Sequence, residues 1–522
     1  MPQLLKKLDD LAAVETDNVF AKMLERVAFV FMILMFVFAP HSIAATQIAW
    51  LTGMSAWFVR LFLKPRPRLI RTPLDVPLWI FFAWSLVTSI FSYDPPTSLD
   101  KLRNVALFLI FYYIINVVKT KRAAVFMAST LILSAMVSVV WTPIERIFGR
   151  GVEMNNVSAE SLFSKTILRD GDTILKANGV KVTTPEELLT EIEKSETTSI
   201  YFYRPDFYLT VPVNRADLPG GTNTLERLGI GGWKHSRNWR SAGFLSHYAT
   251  FAEVLQLIIS LTFGLFIASF VRGKGENRSE SNRTKKYFLN LPFSPILLFC
   301  VAAMSLALLL TGTRASEIGF VISAFAVVFI SGNRKLLLTT AAVVLPVALG
   351  AVYFIQQSRH VGFFDSNDES TKDRITFYRK GFNLWTNNAR NFSIGVGMDS
   401  TKRNIKEWNL YDNQGVPMGH FHSTPLQLVV ERGLPALFLW LWVLWIYGRT
   451  LLRWLVKYGS SVGWREKGIA LGAFGGLVGF FSGGLVHYNL GTAMVAMVFF
   501  MVMGLSFTLI IPSFEIERLA EG

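Results

Sequence analysis

The sequence has a single cysteine, Cys300, in 522 residues, and it lies inside an apolar run. No internal disulfide is possible, and thiol redox chemistry has no second cysteine to work with. Charge is scarce: 17% of residues are Asp, Glu, Lys or Arg, against 51% hydrophobic. A water-soluble chain of this length needs more polar surface, so the balance points to a polytopic membrane protein. Acid is scarcer than base, with 37 Asp and Glu against 52 Lys and Arg, a formal net charge of +15. The excess falls in short clusters between apolar runs, so no nucleic-acid partner is expected. No cleavable signal peptide is evident; residues 1–25 are polar and amphipathic and suit an interfacial or cytoplasmic helix.

Apolar runs of spanning length occur near 26–41, 43–62, 76–92, 104–118, 124–144, 246–271, 294–312, 316–331, 336–355, 425–447, 468–487 and 490–512. They predict an all-α membrane protein of about twelve transmembrane helices. Basic clusters at 64–68, 119–122, 272–286, 334–335 and 449–467 all fall on one side, which makes that side cytoplasmic, with both termini inside. The expected layout is helices one to five over 26–144, helices six to nine over 240–355, a long outer loop over 356–424, helices ten to twelve over 425–512, and a cytoplasmic tail over 513–522. The run near 468–487 holds Gly472, Gly475, Gly476, Gly479, Gly483 and Gly484. Small residues at such spacing let helices approach closely in lipid.

The outer segment between helices five and six holds a small α+β insert. Residues 168–182 read as strand, Asn178-Gly179 turn, strand. Thr184 and Pro185 open a short helix to about Lys194, and residues 199–203 and 208–213 are two more strands. Gly-Asp-x-Ile-Leu-x-x-Asn-Gly, a helix and a final strand pair resemble a PDZ domain over 150–215. That resemblance implies a peptide or protein partner; a spacer is the alternative.

Chemistry is expected in the loop 356–424. Its end reads Gly419-His420-Phe421-His422-Ser423-Thr424-Pro425-Leu426-Gln427. Thr424 is placed to cap a helix, Pro425 suits the first helical position, and Gln427 completes a capping box. His422 then sits just before a helix N-terminus. Arg314 lies in the tight turn Leu310-Thr311-Gly312-Thr313-Arg314, where a charge at the membrane edge suggests a site. Arg240 enters the sixth helix from outside, with His247 and Glu253 further along. Asp373-Arg374-Ile375-Thr376-Phe377-Tyr378 is followed by Gly395-Val396-Gly397. The loop has no Asp-x-Asp pair, and His420 and His422 lack the further ligands of a closed zinc site, so no metal is expected.

Together these elements resemble the O-antigen ligase and polymerase superfamily, over nearly all of the chain outside the insert. Its outer Thr-x-[Ser/Thr]-Arg turn is matched by Thr311 to Arg314. Its Arg, aromatic and Gly-x-Gly pattern is matched by Arg374, Tyr378, Gly395 and Gly397. Its His-x-His-Asn-x-x-Leu-x-x-x-x-Glu-x-Gly is matched by His420, His422, Leu426, Glu431 and Gly433, with Ser423 in place of the Asn. The resemblance implies glycan transfer on the periplasmic face of a bacterial inner membrane, without nucleotide, metal or other cofactor. The donor would be a glycan on undecaprenyl diphosphate. The acceptor would be lipid A-core for a ligase, or another lipid-linked repeat for a polymerase, and membrane lipids would surround both.

These residues suit such roles chemically. Arginine binds phosphate oxygens bidentately, which favours Arg314 and Arg374 first, with Arg240 and Arg379 beside them. Fixed cations stabilise the charge that grows on a leaving diphosphate, and a helix N-terminus adds partial positive charge. His422 is the expected base, biased toward its neutral form by that setting, with His420 and Tyr378 lining the site. Glu431 is expected to be a buried partner for an arginine. Two other classes compete: a transporter, which would place charges at the midplane and repeat its halves, and a scaffold built on the insert.

Overall fold

The computed structural model describes residues 2–14, 16–204, 207–272, 293–332, 369–413 and 415–521. The apolar run near 336–355, the loop up to 368 and the basic clusters at 273–286 and 334–335 lie outside the described residues. The chain divides into two compact units, Met1–Ser138 with Ala242–Gly522, and Val139–Ser241.

The first unit begins with α1 (Pro2–Ala12), α2 (Val19–Phe38), α3 (Ile43–Arg60), α4 (Asp75–Ile90), α5 (Pro95–Val105), α6 (Leu109–Val117) and α7 (Lys121–Phe148), whose residues from Val139 on are counted with the second unit. The run expected as one helix over 104–118 is split. Asp94 caps α5 from the Thr97 amide, with Pro95 following it, so helix begins well ahead of the apolar residues. A 3-10 turn, Ala106–Phe108, then joins α5 to α6.

The second unit carries a wholly antiparallel sheet. Its strands are β1 (Arg150–Val157), β2 (Thr173–Ala177), β3 (Val180–Lys181), β4 (Thr197–Arg204), β5 (Phe207–Asn214) and β6 (Ile230–Ser236). They run in the order β5-β4-β2-β1-β6, with β3 on β2. Asn178 and Gly179 both take positive φ in the β2–β3 turn, as a two-residue hairpin requires. Thr184 caps α8 (Pro185–Glu193), and α9 (Thr224–Leu228) precedes β6. Val152, Phe163, Ile174, Leu188, Ile200 and Phe202 form the core. The unit reaches past the 150–215 expected for it, because β6 pairs with β1.

The first unit resumes with α10 (Tyr248–Arg272), α11 (Phe293–Thr311), α12 (Arg314–Ile330), α13 (Glu369–Thr386), α14 (Ala389–Ile394), α15 (Ser400–Arg403), α16 (Thr424–Tyr458), α17 (Trp464–Gly484) and α18 (Ala493–Glu521). Among the described residues, five segments are long and apolar enough to cross a membrane: Lys121–Phe148, Tyr248–Phe270, Ser294–Thr311, Thr424–Tyr458 and Ala493–Pro512. The chain is a multi-pass membrane protein. The glycines of α17 seat it against α10 and α12. A Cβ at Gly472 would lie 2.5 Å from Leu261 Cα, and one at Gly468 would lie 2.7 Å from Leu265 Cα. One at Gly479 would lie 2.8 Å from the Gly319 carbonyl oxygen. Packing accounts for this stripe.

The element that organises the loop is α16, which is broken at Gly433 (φ 72, ψ 174), two residues before Pro435. Proline removes a helical amide donor, and only glycine adopts this backbone readily. The break leaves carbonyls of the first half free. Val396 donates its amide to the Val430 carbonyl and Gly397 donates to that of Glu431, both at 2.8 Å. Gly395 (φ 77) lets the strand come this close, since a Cβ there would collide with the backbone of Glu431 and Arg432.

Candidate active site

The docked Gly395-Val396-Gly397 segment, α13 and the N-terminus of α16 share a core of Phe377, Val396, Phe421 and Val430. Ser423, not Thr424, is the N-cap of α16: its side chain accepts from the Leu426 amide at 3.4 Å. Thr424 is thereby helical, and its hydroxyl reaches outward to Asn489 Oδ1 (2.9 Å) and the His487 carbonyl (3.1 Å). Gln427 accepts from the Phe421 amide at 2.8 Å and donates to Glu431 Oε1 at 2.9 Å. These bonds fix the stretch 421–424 from both sides.

His422 has φ 49, an uncommon value for a residue other than glycine. Backbone strain of this kind collects at functional sites. The His422 ring stacks on Phe377 (5.2 Å between centroids, 10° between planes). Tyr378, the next residue of α13, donates its hydroxyl to the His422 carbonyl at 3.2 Å. His420 lies 4.2 Å from His422 between ring centroids, and its Nδ1 accepts the His422 amide at 3.2 Å. The proton of neutral His420 therefore sits on Nε2. Burial, and then the charges of His420, His487 and Arg374, push His422 down to about 2. Burial, then His487 and Lys402, push His420 down to about 4. Both rings are neutral near pH 7.

Arg374, one turn before Tyr378 on α13, is thus brought within electrostatic range of His422. Arg379, on the same helix, is exposed. Arg314 is the first residue of α12 and half-buried. Its neighbour Ala315 packs at the end of α17, 3.8 Å from where a Cβ of Gly483 would lie. Arg240 belongs to the second unit, where it is half-buried.

Glu431 is 2% exposed. Its carboxylate accepts from the Asp399 amide (3.0 Å), from Gln427, and from the Tyr488 hydroxyl (3.4 Å). These donors hold the carboxylate by hydrogen bonds, and Arg432 is the charge that acts on it most strongly. Arg432 is the cation beside it, 3% exposed, with Nη1 on Ser85 Oγ (3.2 Å), its guanidinium over Phe81 (5.2 Å) and Nε without a partner. It lines a cavity of about 150 Å³, together with Lys101, Asp399, Lys402, His420 and Tyr488. Lys101 and Lys402 approach the Asp399 carboxylate at 2.8 and 3.1 Å. Burial acts to raise that carboxyl, but the two lysines outweigh it and hold it low. The cavity is cationic on one side and lined by Phe81, Phe108, Trp440 and Phe500 on the other. No grouping of His, Cys, Asp and Glu suited to a metal occurs among the described residues.

Arg432 stands in the sequence as one half of a charged pair two turns into an apolar helix, which is itself a site signal. Lys101, Asp399 and Lys402 carry no such signal, being ordinary charges in polar stretches. His487 is the last polar interruption of an apolar run. Its ring lies 5.7 Å from His420 and 5.9 Å from His422, close to perpendicular to both.

No curated protein matches the chain. Residues 299–441 match the family model described as O-antigen ligase, a stretch that contains Arg314, Arg374, Tyr378, Gly395, Gly397, His420, His422 and Glu431. The break at Gly433 and the strand that docks on it lie within the matched residues as well. Residues 299–441 are thus similar to O-antigen ligases, and this match supports the O-antigen ligase superfamily for the chain.

Proposed function

We propose that the protein transfers a glycan from undecaprenyl diphosphate to a sugar hydroxyl of lipid A-core, on the periplasmic face of the inner membrane, within a bundle of about twelve membrane helices. The observation that carries this reading is the convergence of Arg374, Tyr378, His420 and His422 at the N-terminus of α16.

In this reading Arg374 and Arg314 grip the donor diphosphate, with Arg240 and Arg379 at its approach. Their charge stabilises the leaving diphosphate as the bond from sugar C1 to phosphate oxygen breaks. His422, neutral and held in a fixed pose by Phe377 and Tyr378, receives the proton of the attacking hydroxyl. His420 lines the acceptor side, where the cavity with Arg432, Lys101 and Lys402 opens. Neither metal nor nucleotide has a part in these steps. The second unit serves as a PDZ-like module that recruits a peptide or protein partner.

The test is transfer by purified protein from a defined undecaprenyl-diphosphate glycan. Lipid A-core and a second lipid-linked repeat are offered in parallel. Product on lipid A-core is the expected result. Product on the second repeat alone makes the protein a polymerase, and product on neither removes the reading.

A further inference from the structure

Among His420, His422 and His487, His487 has a carboxylate at contact distance. Glu253, in the second turn of α10, is 7% exposed, and its Oε1 lies 2.6 Å from His487 Nδ1. The contact is close but not an aligned hydrogen bond, and Glu253 Oε2 is buried without a partner. The backbone of His487 is tied to the N-terminus of α16 through Thr424, and Asn489 is anchored in turn by donating to the Phe480 carbonyl at 2.7 Å. His487 is therefore positioned from three elements, α10, α16 and the end of α17. His422 differs. Its Nδ1 is buried and unpartnered, its ring faces Phe377, and Arg374 stands near it. A buried imidazolium needs a counter-charge. Among the described residues none stands against His422, whereas His487 has Glu253.

We propose that the Glu253–His487 pair is the terminal proton acceptor of the transfer, with His487 holding the proton and Glu253 positioning and neutralising it. The proposal rests on the reading of His422 as the first base. The acceptor oxygen forms the new bond to the sugar C1, and its O–H bond breaks. The C1–phosphate oxygen bond breaks, and its electron pair leaves with the diphosphate. The proton goes to His422 and on to His487, whose positive charge is balanced by the Glu253 carboxylate. His487 and Glu253 both lie outside the residues matched by the family model, so this pair is a feature of the present chain rather than of the match.

The test uses the full-length protein in detergent or proteoliposomes, with single-turnover transfer and donor binding measured separately. His487→Gln is expected to lower the transfer rate roughly a hundredfold while donor affinity is kept. Glu253→Gln, which keeps shape and removes charge, should fall with it, and Glu253→Asp should recover most of the loss. The double variant should be no slower than either single one, because the two act as a unit. A structural role would lower donor binding and thermal stability together, without rescue by Asp. Wild-type rates in both Glu253→Gln and His487→Gln overturn the proposal, as does parallel loss of donor binding. His422→Ala is the separate control: wild-type transfer there removes the first-base reading, whereas slow transfer there with unimpaired Glu253 and His487 variants removes only the pair.

Discussion

Gly397 donates its amide hydrogen to the Glu431 carbonyl oxygen across 2.8 Å, joining a short strand of the loop to the broken end of a helix. The family pattern of Gly-x-Gly and Glu-x-Gly is, in this chain, one contact seen from two sides. Gly433→Ala tests it. The backbone at φ 72 and ψ 174 costs a non-glycine residue on the order of 1–3 kcal/mol, and the added Cβ meets the Ser393 carbonyl. The expected outcome is a lower melting temperature for the purified protein and loss of transfer, with Gly415→Ala, at an open position, as the milder comparison.

Arginine and lysine are not equivalent where a planar fork meets a diphosphate. Arg374→Lys and Arg314→Lys should each lower transfer by about 2–4 kcal/mol of transition-state stabilisation, roughly tens- to a thousandfold in rate. Arg379→Lys, at an exposed position, should change transfer far less. Steady-state kinetics with a fixed acceptor decide this, and near-normal rates in both Arg374→Lys and Arg314→Lys would remove the clamp.

How much of this was legible in the sequence depended on range. Arg374 and Tyr378 are one helical turn apart, and His420 and His422 two residues apart, so local spacing revealed them. Local spacing assigns the Gly395-Val396-Gly397 stretch no role, because its meaning lies in pairing with Val430 and Glu431, far along the chain. The cap was displaced by one residue because Ser423 and Thr424 are chemically alike, and Thr424 is drawn outward by Asn489. β6 was missed because Ile230-Gly231-Gly232-Trp233 lacks strand alternation and is ordered by its register with β1. Glu253 lies in α10 and His487 in the connection just after α17, and only the close approach of α10 and α17 unites them.

The two depressed histidines make the fold sensitive to acid. Both start from an ordinary value of 6.5 and fall to about 2 and about 4 in the folded chain. Between those values and 6.5 the unfolded chain binds protons that the folded chain does not, so stability falls as the pH drops through that window. Thermal melting of the purified protein should decline from pH 7 to pH 4, and His420→Gln should flatten part of the decline. His422 itself stays unprotonated throughout, so any loss of transfer near pH 6 arises elsewhere.

The second unit holds its own core and sheet, and every residue proposed for chemistry except Arg240 belongs to the first. Replacing residues 150–236 with a Gly-Ser linker should leave transfer measurable in membranes at matched protein levels, while altering partner recruitment or product length. Complete loss of transfer in a correctly inserted variant would make the unit part of the reaction, and Arg240→Ala would then be the first substitution to examine.

The strand at Val396–Gly397 and the histidine segment at Phe421–His422 are each tied to the first half of α16. The polypeptide between them is stapled at both ends, while Gly415 and Val416 are exposed at a tip closed by backbone bonds from Asp412 to the Val416 carbonyl (2.9 Å) and from Met418 to the Leu410 carbonyl (3.0 Å). Residues can be gained or lost at such a tip without shifting either staple. Related chains can therefore vary the length and character of this stretch, and with it the surface offered to an incoming sugar, while the reacting groups keep their places.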